Sequence, residues 1–287
     1  MSTSPNAPFQ LNKSVRARRI AIGATVVALW AVGLLLMARR NANRSEVEQL
    51  ADVALRVQPA TFYYAVERDG QQIGAISSSI DTTVQALVSE EYFVGEVASR
   101  SASGTERTSA RWQSTLTRGF RLQRTSIAIT RATMPFSIRA AVAEDTTLVV
   151  AVSQAGSDKP PVNLSVIPPV FTPALATVAF MLGGPHEIGR TQTMSVFDPT
   201  TRTVLRPELR IHAESLFTVV DSAAVGPGGG WIVAHRDTVR AWRIEGGPAG
   251  LSAWVDAEGR VVAARMGNGW SVMRTAFEIA YRLSQTR

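Results

Sequence analysis

Three histidines, a glycine-rich loop and a few carboxylates are the residues of this 287-residue chain whose types could do chemistry. His186, His212 and His235 lie too far apart for the i, i+4 pair of a helical zinc site, and no glutamate stands in the relation such a site needs. His235 with Asp237 could join a serine in a hydrolytic triad, but no Gly-x-Ser-x-Gly elbow exists to expose one. Gly226-Pro227-Gly228-Gly229-Gly230 lacks the Gly-Lys-Ser/Thr ending of a phosphate-cradling loop and runs into Trp231-Ile232-Val233, so it reads as a hairpin loop. Asp198, Asp256 and Glu258 stand in turns as isolated carboxylates, not as a paired acid and base. The chain has no cysteine, which excludes disulfides, thiolate metal sites, cysteine nucleophiles and a lipid-modified cysteine start. No catalytic residue, metal site or cofactor is therefore expected.

The elements around these residues read mostly as strands. Ser45 and Glu48 form a capping-box signature ahead of Leu50, Ala54 and Val57, predicting a short amphipathic helix that ends by Pro59. From Thr61 the period becomes two. Phe62, Tyr64 and Val66 alternate with their neighbours, Asp69-Gly70 supplies a two-residue hairpin turn, and Ile73–Ile80 runs back. Further strands are expected at Val84–Val97, Glu106–Thr115, Phe120–Arg131, Phe136–Val142 and Thr147–Val152, with Leu148–Val152 apolar enough to be buried on both faces. Proline density in Ala155–Pro173 argues against regular ladders there and marks a sub-lobe break at 155–173. Pro173 then opens a helix, Ala174–Leu182, whose Leu175, Val178, Phe180, Met181 and Leu182 make it apolar nearly all round. It must be buried in the sheet, in a membrane or against a partner, and a partner-facing role is the functional reading.

Strands resume at Thr191–Val196, Thr203–Leu205, Glu208–His212, Ser215–Val220, Trp231–Ala234 and Thr238–Ile244, followed by a hairpin turning at Ala257-Glu258-Gly259. The C-terminal segment fits a strand passing into a helix. Trp112, Trp231, Trp242, Trp254 and Trp270 are spread through this region as core-packing residues. Many strands, two short helices and no βαβ alternation predict a mainly β fold, a large antiparallel curved sheet in the form of a half-barrel or sandwich over 61–287.

Three segments, YYAVERDGQQIGAISSSI, GRTQTMSVFDPTTRTV and SAWVDAEGRVVAARMGNGWSVMRTAFE, resemble bacterial envelope β-domain proteins. These include proteins similar to the lipoprotein-carrier fold and the N-terminal β regions of transglutaminase-like proteins. The resemblance covers about two thirds of the domain and rests on hairpin and strand-end signatures. It implies a non-catalytic envelope domain, because the transglutaminase-like proteins keep their catalytic cysteine in a separate domain and this chain has none. Lipoprotein carriers hold acyl chains on a concave apolar face.

The address comes from Ile20–Met37, an apolar run whose 18 residues at a rise of about 1.5 Å cover about 27 Å, near the hydrocarbon thickness of a bilayer. A cleaved signal is the alternative, but the run is long for one and Arg39-Arg40 occupies the place of small cleavage-site residues. The expected layout is a cytoplasmic basic tail over 1–19, a transmembrane helix over 20–38, a juxtamembrane linker with its short helix over 39–60, and the periplasmic β domain. Trp30 sits among Gly23, Ala24, Ala28, Ala31 and Gly33, small residues that let a neighbouring helix approach closely. The formal charge of +7 belongs to this region: residues 1–44 hold seven basic and no acidic residues, which leaves 23 of each in the rest. A neutral domain excludes a nucleic-acid partner, since the electrostatic footprint would have to lie on the domain itself. The reading is a single-pass protein of the bacterial inner membrane whose partners are membrane lipid and integral membrane subunits. It serves as a non-catalytic scaffold or accessory subunit of a larger complex, respiratory and photosynthetic assemblies being examples. The alternative is a carrier of lipid or another apolar ligand, and the third reading is an envelope enzyme.

Overall fold

The computed structural model describes residues 30–32, 34, 46–98, 104–131, 135–226, 231–246, 252–266 and 269–281, in two units, Met1–Glu46 and Val47–Arg287. In the first unit Trp30, Ala31, Val32 and Leu34 are helical and exposed. The rest of the expected span, with Gly23, Ala24, Ala28 and Gly33, lies outside the described residues. Among those described, no helix is long and apolar enough to cross a membrane.

The second unit opens on α1 (Glu46–Arg56), which buries Leu50, Val53 and Ala54 together with the following Val57 and leaves Leu55 in solvent, the spacing of one helical face. Eight strands then run as a meander: β1 (Ala60–Arg68), β2 (Gln71–Thr82), β3 (Ala86–Ala98), β4 (Thr105–Thr117), β5 (Leu122–Arg131), β6 (Phe136–Ala143), β7 (Thr147–Gln154) and β8 (Ser157–Ser165). Asp69 and Gly70 both adopt positive φ, 51° and 79°, as the expected hairpin turn requires. After β9 (Val170–Phe171) and α2 (Pro173–Leu182) come β10 (Thr191–Thr193), β11 (Ser195–Asp198) and β12 (Thr203–Leu205). A second meander closes the chain: β13 (Glu208–Val225), β14 (Trp231–Glu245), β15 (Ser252–Val255), β16 (Val261–Arg265) and β17 (Trp270–Thr275), then α3 (Phe277–Ala280). The last strand pairs with the first, Tyr64 opposite Arg274 and Val66 opposite Val272. That ladder joins both meanders into one 14-stranded antiparallel sheet with β10 and β8 at its edges, while β12, β11 and β9 form a small second sheet.

Residues 166–190 cross from one edge to the other and carry α2 into the main core. Leu175, Val178, Phe180 and Met181 are buried there with Phe120, Phe171, Ile211 and Trp242, and Leu182 packs beside them. The partner-facing reading of this helix is therefore corrected: its side chains are enclosed by its own domain. A helix with no polar face leaves no alternative once the sheet surrounds it. Its last carbonyls, orphaned by helix geometry, are met by basic side chains. Arg190 Nη2 donates to Phe180 O at 2.8 Å, a His186 ring nitrogen bonds Met181 O at 3.1 Å, and Arg56 Nη1 donates to Leu182 O at 3.3 Å.

Three other expectations change. β8 is a strand despite Pro160-Pro161, because it is an edge whose missing N–H groups need no partner and because the register slips opposite Ala151. The breaks expected within Glu208–Val220 and Trp231–Ile244 are bulges, so β13 and β14 are long continuous strands. Leu148, Val150 and Val152 are buried but Ala151 is exposed, so β7 has one buried face, not two.

The turn between β15 and β16 abuts α2: Gly259 has φ +78°, and a Cβ there would fall on the backbone of Thr177 and Val178. Gly156 has nearly the same φ, +80°, with open space around it. Gly259→Ala should therefore cost about 2 kcal/mol or more, and Gly156→Ala about 1 kcal/mol. Urea unfolding followed by tryptophan fluorescence checks this; equal losses would mean that the helix does not press on the turn.

Candidate functional site

Strand period turns one row of side chains from β3, Leu87, Ser89, Glu91 and Phe93, toward the face that carries α2. Three apolar clusters share this face. One surrounds α2 and includes Leu87 and Leu116; one holds Ile127, Ile138, Leu148 and Phe197, with Trp112 beside it; one holds Tyr64, Val66 and Val272, with Phe93 beside it. Where the three meet, the same face is polar.

Glu91 occupies that meeting point, opposite Ser78 on β2 and Trp112 on β4. Burial alone raises its carboxyl to about 7, with no cation contributing. The Tyr64 phenol is also pushed up, first by burial, with Arg274 opposing and Asp256 and Glu91 adding to the rise. Next to Glu91, Trp112 Nε1 donates to Thr125 Oγ1 at 2.7 Å. The Thr125 hydroxyl lies 2.8 Å from Ser114 Oγ and donates to Gln113 O at 3.2 Å. This hydroxyl cluster is buried and satisfied, which suits a structural role.

Asp256 is not the isolated turn carboxylate expected. Its Oδ1 accepts the backbone N–H of Arg260 at 2.9 Å and of Glu258 at 3.2 Å, while Oδ2 pairs with Arg274 Nη1 at 2.7 Å, the carboxylate buried and the guanidinium partly so. Arg274 and Arg260 lie over the Phe62 ring, 4.2 and 4.9 Å from its centroid. Arg260 also donates to Gln58 O, at 2.5 Å. One carboxylate thus ties the β15–β16 turn to β17, and Arg260 ties the same turn to the segment after α1.

The histidines take separate structural positions. His186 caps α2 and packs against Trp242, with ring centroids 4.6 Å apart. His212 faces Glu245 at 3.7 Å on the surface, and His235 lies within β14 opposite Ser222, not in a turn. Asp198 caps its own turn through Thr200 N and Thr201 Oγ1. Among the described residues no three histidine, aspartate or glutamate side chains gather into a metal-binding group. The sites that sequence reasoning passed over are Glu91, Tyr64 and the Asp256–Arg274 pair. Their signal was alternation: Glu91 shares parity with Leu87 and Phe93, and its neighbour Glu90 points out to Arg111.

What this seam can do is take up or release one proton near neutrality. The unfolded carboxyl ionises near its ordinary 4.5 and the folded one near 7, so the folded state binds more protons between those values. Stability is full below about pH 4.5 and falls as pH rises through 7, by on the order of 2–3 kcal/mol in total. Glu91→Gln should flatten that fall and be the more stable protein at pH 8. Urea unfolding of both proteins at pH 5 and pH 8 measures it, and parallel pH profiles would mean that the carboxylate is solvated.

No family model matches the sequence, and no curated protein does. A solved structure similar to this chain is a β-barrel-like protein of domain of unknown function DUF1849 from Brucella abortus, at 12% identity and a TM-score of 0.50, covering 77% of this chain and 96% of that one. That likeness is one of fold, and it makes the curved antiparallel sheet a β-barrel-like one.

Proposed function

We propose that this chain is a single-span, membrane-anchored scaffold or accessory subunit whose β domain stands outside the cytoplasm beside a larger membrane assembly. The observation that carries the reading is the filled concave side of the sheet. In a barrel-like fold that side is where a ligand would lie, and here α2, α1 and the apolar rows of the strands occupy it. A domain whose interior is used for its own packing is left with its outer surface for work. The apolar run Ile20–Met37 with basic flanks supports the anchor, and the neutral balance of the remaining chain supports a protein partner over nucleic acid.

A long two-stranded ribbon adds to this. β13 and β14 pair with each other from Ala213–Arg243 to Val225–Trp231, while β10 pairs with β13 only over Glu208–Arg210 and β15 with β14 only over Trp242–Ile244. Its exposed Leu216, Val225 and Ile232 offer contact area. The resemblance to lipoprotein carriers keeps the carrier reading as the alternative, and the packed interior weighs against it.

Extraction in mild detergent, crosslinking and sizing test the proposal. The expected result is co-migration with integral membrane subunits, and Leu216→Asp together with Ile232→Asp should reduce it without lowering the unfolding midpoint. A chain that always migrates alone would overturn the scaffold reading. Stoichiometric lipid in native mass spectra of the purified protein would favour the carrier.

A further inference from the structure

The outward face of β4–β8 carries a trough of about 820 Å³ that the fold itself does not use. Its floor is low because Ala141, Val149 and Ala151 carry short side chains, and its far edge is the Pro160-Pro161 bulge of β8. The near wall is Arg124 on β5 and Arg139 on β6. Arg124 faces Ala141 and Arg139 faces Ser126, so the two arginines stand diagonally on adjacent strands, roughly 7 Å apart at Cβ.

Both are exposed, and among the described residues neither forms an ion pair; Arg124 Nε donates to Thr115 Oγ1 at 3.3 Å. Two cations held this close repel, and a doubly charged anion between them would relieve that repulsion while taking bidentate hydrogen bonds from planar guanidinium groups. At the far edge Asp158, opposite Ser153, contributes a carboxylate, while Lys159 pairs with the inward-facing Val152. Beside the arginines the lining carries the hydroxyls of Ser126, Ser137 and Ser153 next to the Ala141, Val149 and Ala151 floor, with no aromatic ring. A polar, hydroxyl-bearing ligand with a phosphate at one end fits this wall order.

We propose that this trough binds a sugar phosphate, its phosphate gripped by Arg124 and Arg139 and its hydroxyls hydrogen-bonded by Ser126, Ser137 and Ser153. The same chemistry could arrive as a free metabolite or as the headgroup of a lipid.

Calorimetry on the intact chain in neutral detergent tests it, with a hexose 1,6-bisphosphate, inorganic phosphate, the unphosphorylated hexose and a short-chain phosphatidylinositol phosphate as probes. The bisphosphate should bind more tightly than inorganic phosphate, and the plain hexose should not bind. Arg124→Gln and Arg139→Gln should each weaken the bisphosphate tenfold or more. Arg111→Gln, whose guanidinium pairs with Glu90 outside the trough, should change nothing, and all variants should keep the wild-type unfolding midpoint. Tighter binding of the lipid probe than of the bisphosphate would support the proposal with a membrane headgroup as the source, and the reverse would support a soluble one. No binding at millimolar concentration, equal affinity for inorganic phosphate and bisphosphate, or an equal loss in Arg111→Gln would overturn it. Neither the anchor nor a protein partner enters these measurements, so their outcome is independent of the scaffold reading.

Discussion

A helix without a polar face has to be enclosed, and the architecture is organised around enclosing α2. Its apolar side chains reach full burial only because one sheet edge is carried over to the other by the segment that contains it. Enclosure creates a second demand, since the carbonyls at its C-terminal end are taken from water with it. Arg190, His186 and Arg56 meet that demand from three different parts of the chain. Arg190 is itself desolvated enough that its guanidinium is held below the usual range, and it still stacks over Phe180 at 4.4 Å. The helix is thus anchored by charge at one end and by the close approach of Gly259 along its flank.

Much of the fold could be read from local pattern. The β1–β2 hairpin was visible in Asp69-Gly70, the helix α2 in Pro173 and the apolar run after it, and the change from strand to helix near Thr275 in overlapping periods. What failed had one physical root: local signals report local backbone preference, and the sheet overrode them. Pro160 and Pro161 lie in a strand because an edge tolerates them, and the polar residues near Ala213 and His235 mark bulges, not turns. Whether Leu175–Leu182 would face a partner or the interior could not be decided from an all-apolar pattern, because such a helix has no face to read.

The polar features were harder to see for a different reason. Asp256 and Arg274 are 18 residues apart, and their meeting depends on the β16–β17 register and on the tightness of the β15–β16 turn. Glu91 was accessible in principle, because one of two consecutive glutamates in a strand must point inward, but only a known inner face makes that rule useful. Arg124 and Arg139 come together by a register diagonal that no spacing reveals. In this protein the charges that lie inside or beside the sheet are organised by pairing between strands, and the composition of single segments says little about them.

The ladder between β1 and β17 has a temporal meaning as well as a structural one. β1 finds its second neighbour only when β17 exists, so a nascent chain carries β1 with one open edge until β17 has been made. During that interval Tyr64 and Val66 have one flank uncovered, and the Phe62 ring has yet to receive Arg274. Completion of the sheet therefore waits on β17, and the interval before it is when the chain most needs shielding from its own copies.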